Sequence, residues 1–393
     1  MLRYHNAVRE DFLPYNLPDI NDADIDAVAD VLRSGWLAPG PRVRAFEAAF
    51  AAYTGAAHAI AVDSATAGMH LALLAAGVGP GDEVITTPIT FPATINVIIH
   101  AGAAPVLADV QGDDGCLDPA AVVRAVTPRT KVILPQHHGG AACRVEELRA
   151  VASQHGIAII EDAAHALGTR EGEHHAGTRS LAGVFSFYPT KNVTTGRGGM
   201  VTTDDGAFAE RCRLLALHGL SSDAWDRYTA RGSWAYQVLG AGYNYAMSDY
   251  QAALGNSQFA RIDALQARRR ALAERYHARF DLLPEVIRPC ERPGTTHAWH
   301  LYVIRLREGA MRIDRDAVIE QLRARGIGTS VHFIPMHHHP YYRERFGWAP
   351  GDYPVADAYF ESAISLPLYT RMQETDVDRV ADAIAEVVTA HRA

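Results

Sequence analysis

Cysteine is scarce in this chain. Its four residues, Cys116, Cys143, Cys212 and Cys290, stand far apart, with no C-x-x-C pair among them. That spacing argues against a zinc ribbon or a disulfide framework and predicts reduced thiols in a cytoplasmic protein. Long apolar runs are missing too. The nearest, "TINVIIHAGAAPVLADV", is broken by His100, Gly102 and Pro105, so no membrane span is predicted. The opening "MLRYHNAVREDFLPYN" has no apolar core of signal-peptide length, which predicts that the chain is not exported. Positive charge is in deficit. Lys and Arg number 37 against 45 Asp and Glu, a net charge of −8, which disfavours a general binder of nucleic acid or anionic membrane. The basic run "QARRRALAER" has Glu274 within it and reads as a solvated helix face. There is no internal repeat, and "GVGPGDE" lacks the third spaced glycine of a dinucleotide fingerprint.

What is present is an alternation of helices and short apolar strands over 393 residues, long enough for two large cores. "DADIDAVADVLRSG" has helical periodicity, with Ile25, Val28, Val31 and Leu32 expected on the buried face and Gly35 as its stop. "VRAFEAAFAAYTG", "ATAGMHLALLAAG", "ATINVIIHAG" and "RVEELRAVASQHG" are further helices. Seven runs read as strands: "HAIAVDS", "EVITTP", "APVLADV", "TKVILPQ", "IAIIEDAA", "GVFSFYP" and "GMVTTDD". Several are almost continuously apolar, as strands of a mostly parallel sheet covered on both faces must be. The fold class predicted is therefore α/β. Near residue 250 the rhythm changes to one long helical stretch, "MSDYQAALGNSQFARIDALQARRRALAERYHARFDLL". After it come the strand "AWHLYVIRL", the helix "DRDAVIEQLRARG", a strand-like "IGTSVHF" and a last helix "TDVDRVADAIAEVVTAH". The expected division is a large α/β domain over 1–255 and a smaller α+β domain over 256–393.

Chemistry gathers at three strand ends. In "VDSATAG", Ser64, Ala65 and Thr66 lie between a strand and a helix start, where N–H groups and hydroxyls suit an anion such as phosphate. Taken alone, such hydroxyls are more often ordinary caps. "IAIIEDAAHALG" ends a buried strand with Glu161 and Asp162, followed by His165. Ligands of α/β sheets sit at carboxyl ends of strands, and an acid there can pair with a cationic ring nitrogen. Lys191 follows 29 residues later in "FSFYPTKNVTTGRGG", after Phe185, Phe187 and Tyr188 and with Ser186 upstream. A lysine desolvated by such neighbours has a depressed pKa and becomes a nucleophile. Anion site, carboxylate and amine on successive strand ends form the set that pyridoxal phosphate (PLP) requires.

These segments carry a family resemblance over nearly the whole chain. "SGWLAPGP", "SATAGMH", "GDEVITTPITFPAT", "TPRTKVILPQHHGG", "IIEDAAHALGT", "FSFYPTKNVTTGRGG", "GYNYAMSDYQAALG" and "VHFIPMHHHPYYRERFG" resemble the sugar aminotransferases of the DegT/DnrJ/StrS family, which have PLP-dependent fold type I with a seven-stranded sheet. The resemblance implies that Lys191 binds PLP and later moves a proton. It implies that Asp162 faces the ring nitrogen, His165 the phenolic oxygen, and Phe91 the ring face. Ala65, Thr66 and Ser186, beside Ser64, match the phosphate cradle, and Asn244 matches a residue reaching that phosphate from the other subunit of a homodimer. Trp36, His332 and the segment around His337 match positions on the nucleotide-sugar side. The implied reaction moves an amino group, from L-glutamate, to the C4 ketone of a dTDP- or UDP-linked sugar. A C3-keto sugar or a cyclitol is the alternative acceptor. A dehydratase of the same fold would carry histidine in place of Lys191.

Two positions depart from the family pattern. Arg197 stands where "TTGEGG" has glutamate, and His138 where an aromatic such as tyrosine is common. "HHHP", residues 337–340, invites a metal, but adjacent histidines are expected to diverge, so no metal site is predicted.

Overall fold

The computed structural model describes residues 12–221 and 235–393; most of the opening segment read for a leader peptide lies outside them. Seven strands form the central sheet: β1 His58–Val62, β2 Glu83–Thr86, β3 Ala104–Leu107, β4 Thr130–Leu134, β5 Ala158–Asp162, β6 Ala182–Ser186 and β7 Gly199–Thr203. All seven coincide with runs read as strands from the sequence. Their order is β1-β7-β6-β5-β4-β2-β3. β3, β2, β4, β5 and β6 are parallel, while β7 pairs antiparallel with both β6 and β1.

Strand alternation feeds two cores. On one face, Val184 and Val201 pack with the helix Ala65–Ala75 below, together with Ile60 and Leu71. On the other, Phe185 and Phe187 meet Phe46, Phe50 and Phe259, with the Phe50 and Phe185 rings 5.0 Å apart at 69°. Such edge-on aromatic contacts favour one fixed packing of the β6 end, from which the lysine loop departs.

Helix α1 (Asp22–Ser34) ends at Gly35, whose φ of 74° is the left-handed cap the sequence predicts. Its buried side is not the expected one. Val31 is buried, but Ile25 and Leu32 are each 57% exposed. Asp24 turns inward instead, accepting from Ser257 (2.6 Å), Gln258 (2.6 Å) and Arg261 (2.7 Å). A buried carboxylate requires such partners, so this network sets the helix rotation against the apolar stripe. Helix α2 (Pro41–Thr54) supplies Phe46 and Phe50, and α3 (Ala65–Ala75) runs beneath the sheet, nearly all buried.

The long helical stretch is two helices, Asp249–Phe259 and Ile262–Phe280, broken at Ala260 and Arg261. The first, with Ile262 and Leu265, packs on the large core; the second continues into a core built on Tyr276, Tyr302, Ile304, Val380 and Ile384. That second core covers a three-stranded antiparallel sheet of Val286–Ile287, Tyr302–Leu306 and Ala363–Leu366. Leu13 joins it by pairing with Ile327, so described residues from before and after the large sheet together build the smaller unit. "IGTSVHF" is not a strand of that sheet. Only Ser330 bridges to Ser365, and the next turn swings His332 and Phe333 toward the site.

Candidate active site

A cavity of about 450 Å³ opens at the carboxyl ends of β5 and β6. Ser64, Ala65, Thr66, Phe91, Asp162, His165, Ser186, Lys191 and His332 all line it. Segments scattered over 260 residues of sequence thus meet at one place, the crevice where α/β sheets bind ligands.

Asp162 is the last residue of β5, and alternation sends it and Glu161 to opposite sides. Glu161 is held in a structural net by Ser180 (2.5 Å), the Gly177 N–H (2.7 Å) and His137 Nε2 (2.8 Å). Asp162 faces the cavity. Its Oδ2 accepts from the Thr94 hydroxyl at 3.0 Å and its Oδ1 from the Ala164 N–H at 3.1 Å. Burial raises its pKa, opposed by those two neutral donors and by the positive charge of Lys191.

Lys191 lies in the loop after β6, its N–H bonded to the Tyr188 carbonyl at 2.9 Å. Its amine is 3.4 Å from His300 Nε2. Burial lowers its pKa from 10.5 to about 8, with Asp162 opposing. His165 is buried, its Nδ1 accepting from the Gly139 N–H at 3.3 Å and its ring stacked 5.8 Å from Phe333. Burial, with Lys191 and three histidines nearby, holds it well below the usual histidine range, so the ring is neutral.

Ser64 caps α3, accepting from the Ala67 N–H at 3.1 Å. The neighbouring strand passes close by at Gly199, where a Cβ would stand 2.6 Å from the Ala65 nitrogen and 2.6 Å from the Ser64 carbonyl carbon. Only glycine leaves the helix start in place there. Gly199→Ala should therefore destabilise the protein by about 2 kcal/mol or more, and shift the start of α3. A melting temperature equal to wild type would contradict this.

Not every expected residue reaches the cavity. Trp36 packs over Gly40 at the start of α2, where a Cβ on Gly40 would lie 2.4 Å from its Nε1. Asn244, expected at the other subunit's phosphate and not in its own cavity, is exposed and bridges to Leu217 outside the cavity wall. His337 is buried away from it, bonded through Nε2 to Asp357 Oδ1 at 2.7 Å. His338 reaches the same oxygen at 2.7 Å, the two rings standing at 89°. The expected divergence of the three histidines holds for His339 alone, which packs edge-on against Tyr342. Asp357 Oδ2 takes the Gly351 N–H at 2.7 Å, so hydrogen bonds already occupy this cluster.

Conversely, Tyr15, Asn16, Thr94, Gln136, His300 and Phe333 line the cavity without having been singled out; Tyr188, expected with Phe185 and Phe187 to bury the lysine, lines it too but is 58% exposed. Of the two departures from the family pattern, Arg197 lies on the cavity rim, paired with Asp63 at 3.0 Å. His138 is buried behind Phe333 and Tyr359, its pKa lowered to about 4 by burial.

Residues 18–385 match the DegT/DnrJ/EryC1/StrS aminotransferase family. The chain belongs to that family. SpsC, a spore coat polysaccharide biosynthesis protein of Bacillus subtilis (strain 168), is 48% identical over 381 residues, covering 97% of this chain and 98% of SpsC. Spr1654 of Streptococcus pneumoniae, described as a sugar aminotransferase and solved with PMP, is 32% identical with a TM-score of 0.90, over 96% of this chain and 99% of its own. It is also solved in a PLP form. PseC of Helicobacter pylori, an aminotransferase of pseudoaminic acid biosynthesis, is 29% identical with a TM-score of 0.89, over 97% and 100% of the two chains.

The protein is thus a PLP-dependent sugar aminotransferase with the type I fold. The cavity of this aminotransferase fits the cofactor on its own chemistry. It holds a buried carboxylate with only neutral donors on its oxygens, a helix start kept clear by Gly199, and an amine of lowered pKa.

Proposed function

We propose that this enzyme transfers the amino group of L-glutamate to the C4 ketone of a dTDP- or UDP-linked 4-keto-6-deoxy sugar, acting as a homodimer. The observation that carries the site assignment is the facing of Lys191 and Asp162 across one cavity, beside the Ser64–Thr66 helix start. PLP, when bound, supplies an aldehyde for amines and a ring that draws off the electron pair left when an α-proton departs. Everything else falls to the chain.

Asp162 keeps a cationic ring nitrogen protonated through its charge, and Thr94 and the Ala164 N–H hold that carboxylate in place. The α3 N-terminus, with Thr66 and Ser186, takes the phosphate. His165, neutral and oriented by the Gly139 N–H, offers its other ring nitrogen to the phenolic oxygen. Phe91, 58% exposed and lining the cavity, would cover the ring face. Lys191, with a pKa near 8, is available both as a free amine and as an ammonium, so its Nζ can bind the aldehyde and then carry a proton. His332, anchored by Ser365 Oγ at 2.8 Å and stacked 5.6 Å from Tyr15, lines the side on which a nucleotide sugar would enter.

Asn244 is assigned to the partner's phosphate cradle. Its exposure outside its own cavity, and the exposed apolar residues Tyr236, Val238 and Leu239 nearby in sequence, support a shared site. Asn244→Ala should weaken PLP retention about tenfold while leaving the fold intact, as expected for one charge-assisted hydrogen bond. Equal retention in the variant and the wild type would remove Asn244 from the cradle.

The substrate assignment is tested by absorbance. Glutamate should convert the bound cofactor from its PLP to its PMP spectrum, and one member of a panel of dTDP- and UDP-keto sugars should restore it. Restoration by a 3-keto sugar or a cyclitol ketone alone would move the amination site. The persistence of Lys191 disfavours the dehydratase reading.

A further inference from the structure

His300 is the hydrogen-bond partner of the Lys191 amine, at 3.4 Å through Nε2, and nothing in the motifs pointed to it. It precedes the strand Tyr302–Leu306, in the smaller unit, and leans across the crevice with its ring 4.4 Å from that of His165. Its own Nδ1 is buried with no partner among the described residues.

The groups facing this pair limit what His300 can do. Lys191 stands in front of it, Asp162 across the cavity on β5, His165 beside it, His332 further around the wall and His138 behind Phe333. Arg269 lies behind, fixed to the Trp299 and Leu368 carbonyls. Burial, together with two cations so close, holds the His300 imidazole neutral. A neutral ring facing an ammonium can only accept, so Nε2 receives an N–H from Lys191.

We infer that His300 is a catalytic residue of this enzyme that sets the proton balance of Lys191, accepting a hydrogen bond from Nζ and so keeping the ammonium form within reach inside a desolvated site. The inference rests on the reading of Lys191 as the PLP-binding lysine. A lysine that serves as nucleophile and then as proton carrier needs both protonation states near neutral pH. Burial alone drives it toward the amine; an acceptor that touches Nζ opposes that drift. The same contact fixes the direction of the amine in the cavity.

The test uses the full-length chain freed of cofactor. Cyanate, as isocyanic acid, carbamoylates only the neutral amine: Nζ bonds to its carbon, the C=N π bond breaks, and the proton Nζ gives up is taken by the cyanate nitrogen to complete the urea; peptide mass spectrometry reads Lys191 alone as pH is varied. The wild-type midpoint should lie near pH 8. In His300→Phe the acceptor is gone and the midpoint should fall by about one unit, giving roughly tenfold faster labelling on the acid side. His300→Gln, which retains an acceptor, should return it toward the wild type.

The directions separate the possible roles. A merely structural histidine, once removed, would loosen the pocket and admit water, raising the midpoint toward that of an ordinary lysine. An unchanged or raised midpoint in His300→Phe therefore overturns the inference. Borohydride reduction of the wild type after adding PLP tests the underlying reading separately. An adduct on another lysine would defeat that reading, whatever the cyanate midpoints are.

Discussion

Lys191→Ala should leave a folded protein whose turnover is lower by on the order of 10⁴-fold or more. On the proposed assignment of Lys191 two functions vanish together, the covalent hold on the aldehyde and the proton carrier at the site of proton transfer, and no neighbouring amine lines the cavity among the described residues to replace them. The variant should still retain PMP, because the cradle at Ser64–Thr66, Asp162 and His165 is untouched. The fold should gain rather than suffer. The pKa of Lys191 lies below its unfolded value, near 8 against 10.5, so the unfolded chain binds the extra proton between those pH values. Wild-type stability therefore carries its full penalty below about pH 8 and sheds it as pH rises toward 10.5. Without cofactor, Lys191→Met, which keeps the apolar stem, should melt above wild type at pH 7, with the gap closing at high pH. Transamination by the alanine variant at a rate near wild type would end the assignment of Lys191.

Much of this site was legible because its chemistry is carried by residues next to strand ends. The seven strands announce themselves as buried apolar runs, a consequence of a parallel sheet covered on both faces. Asp162 and Lys191 could then be placed at carboxyl ends by counting along the chain. What stayed hidden depends on contacts between distant segments. Tyr15 and Asn16 enter the wall because Leu13 pairs with Ile327, a register that no local pattern specifies. His300 and Phe333 arrive from the smaller unit, and each reads in the sequence as part of an ordinary strand. A histidine at the head of an otherwise apolar strand was the only signal available for His300. The rotation of α1 departs from its sequence pattern for a related reason. Its apolar stripe is outcompeted by Asp24, whose partners Ser257, Gln258 and Arg261 lie more than 230 residues away.

The Asp162→Asn variant should oppose stability to function in the same molecule. The carboxylate's pKa is raised above its usual 3.8 by burial, so the cofactor-free folded state holds a proton that the unfolded chain has already released. Stability from this group is greatest at low pH and falls as pH rises from 3.8 through the raised value; at pH 7 the buried charge is a net cost. Asparagine keeps the shape; its one oxygen can accept from the Ala164 N–H while its NH2 donates to the Thr94 hydroxyl, which can turn its own proton to Thr90, so the cofactor-free variant should melt higher than wild type at pH 7 and converge with it near pH 3. Adding PLP should reverse that order. Only the charged carboxylate favours a protonated ring nitrogen, so the wild type gains more stability from the cofactor by mass action. Turnover in Asp162→Asn should fall by about 10²–10³-fold, the scale of one lost electrostatic partner at a reacting centre. A variant less stable than wild type without cofactor would show that Asp162 serves the fold, whereas unchanged turnover would show that this carboxylate does not face the ring. The predicted crossing, stabilised when empty and weakened when loaded, is what a carboxylate retained for its charge toward a ligand must produce.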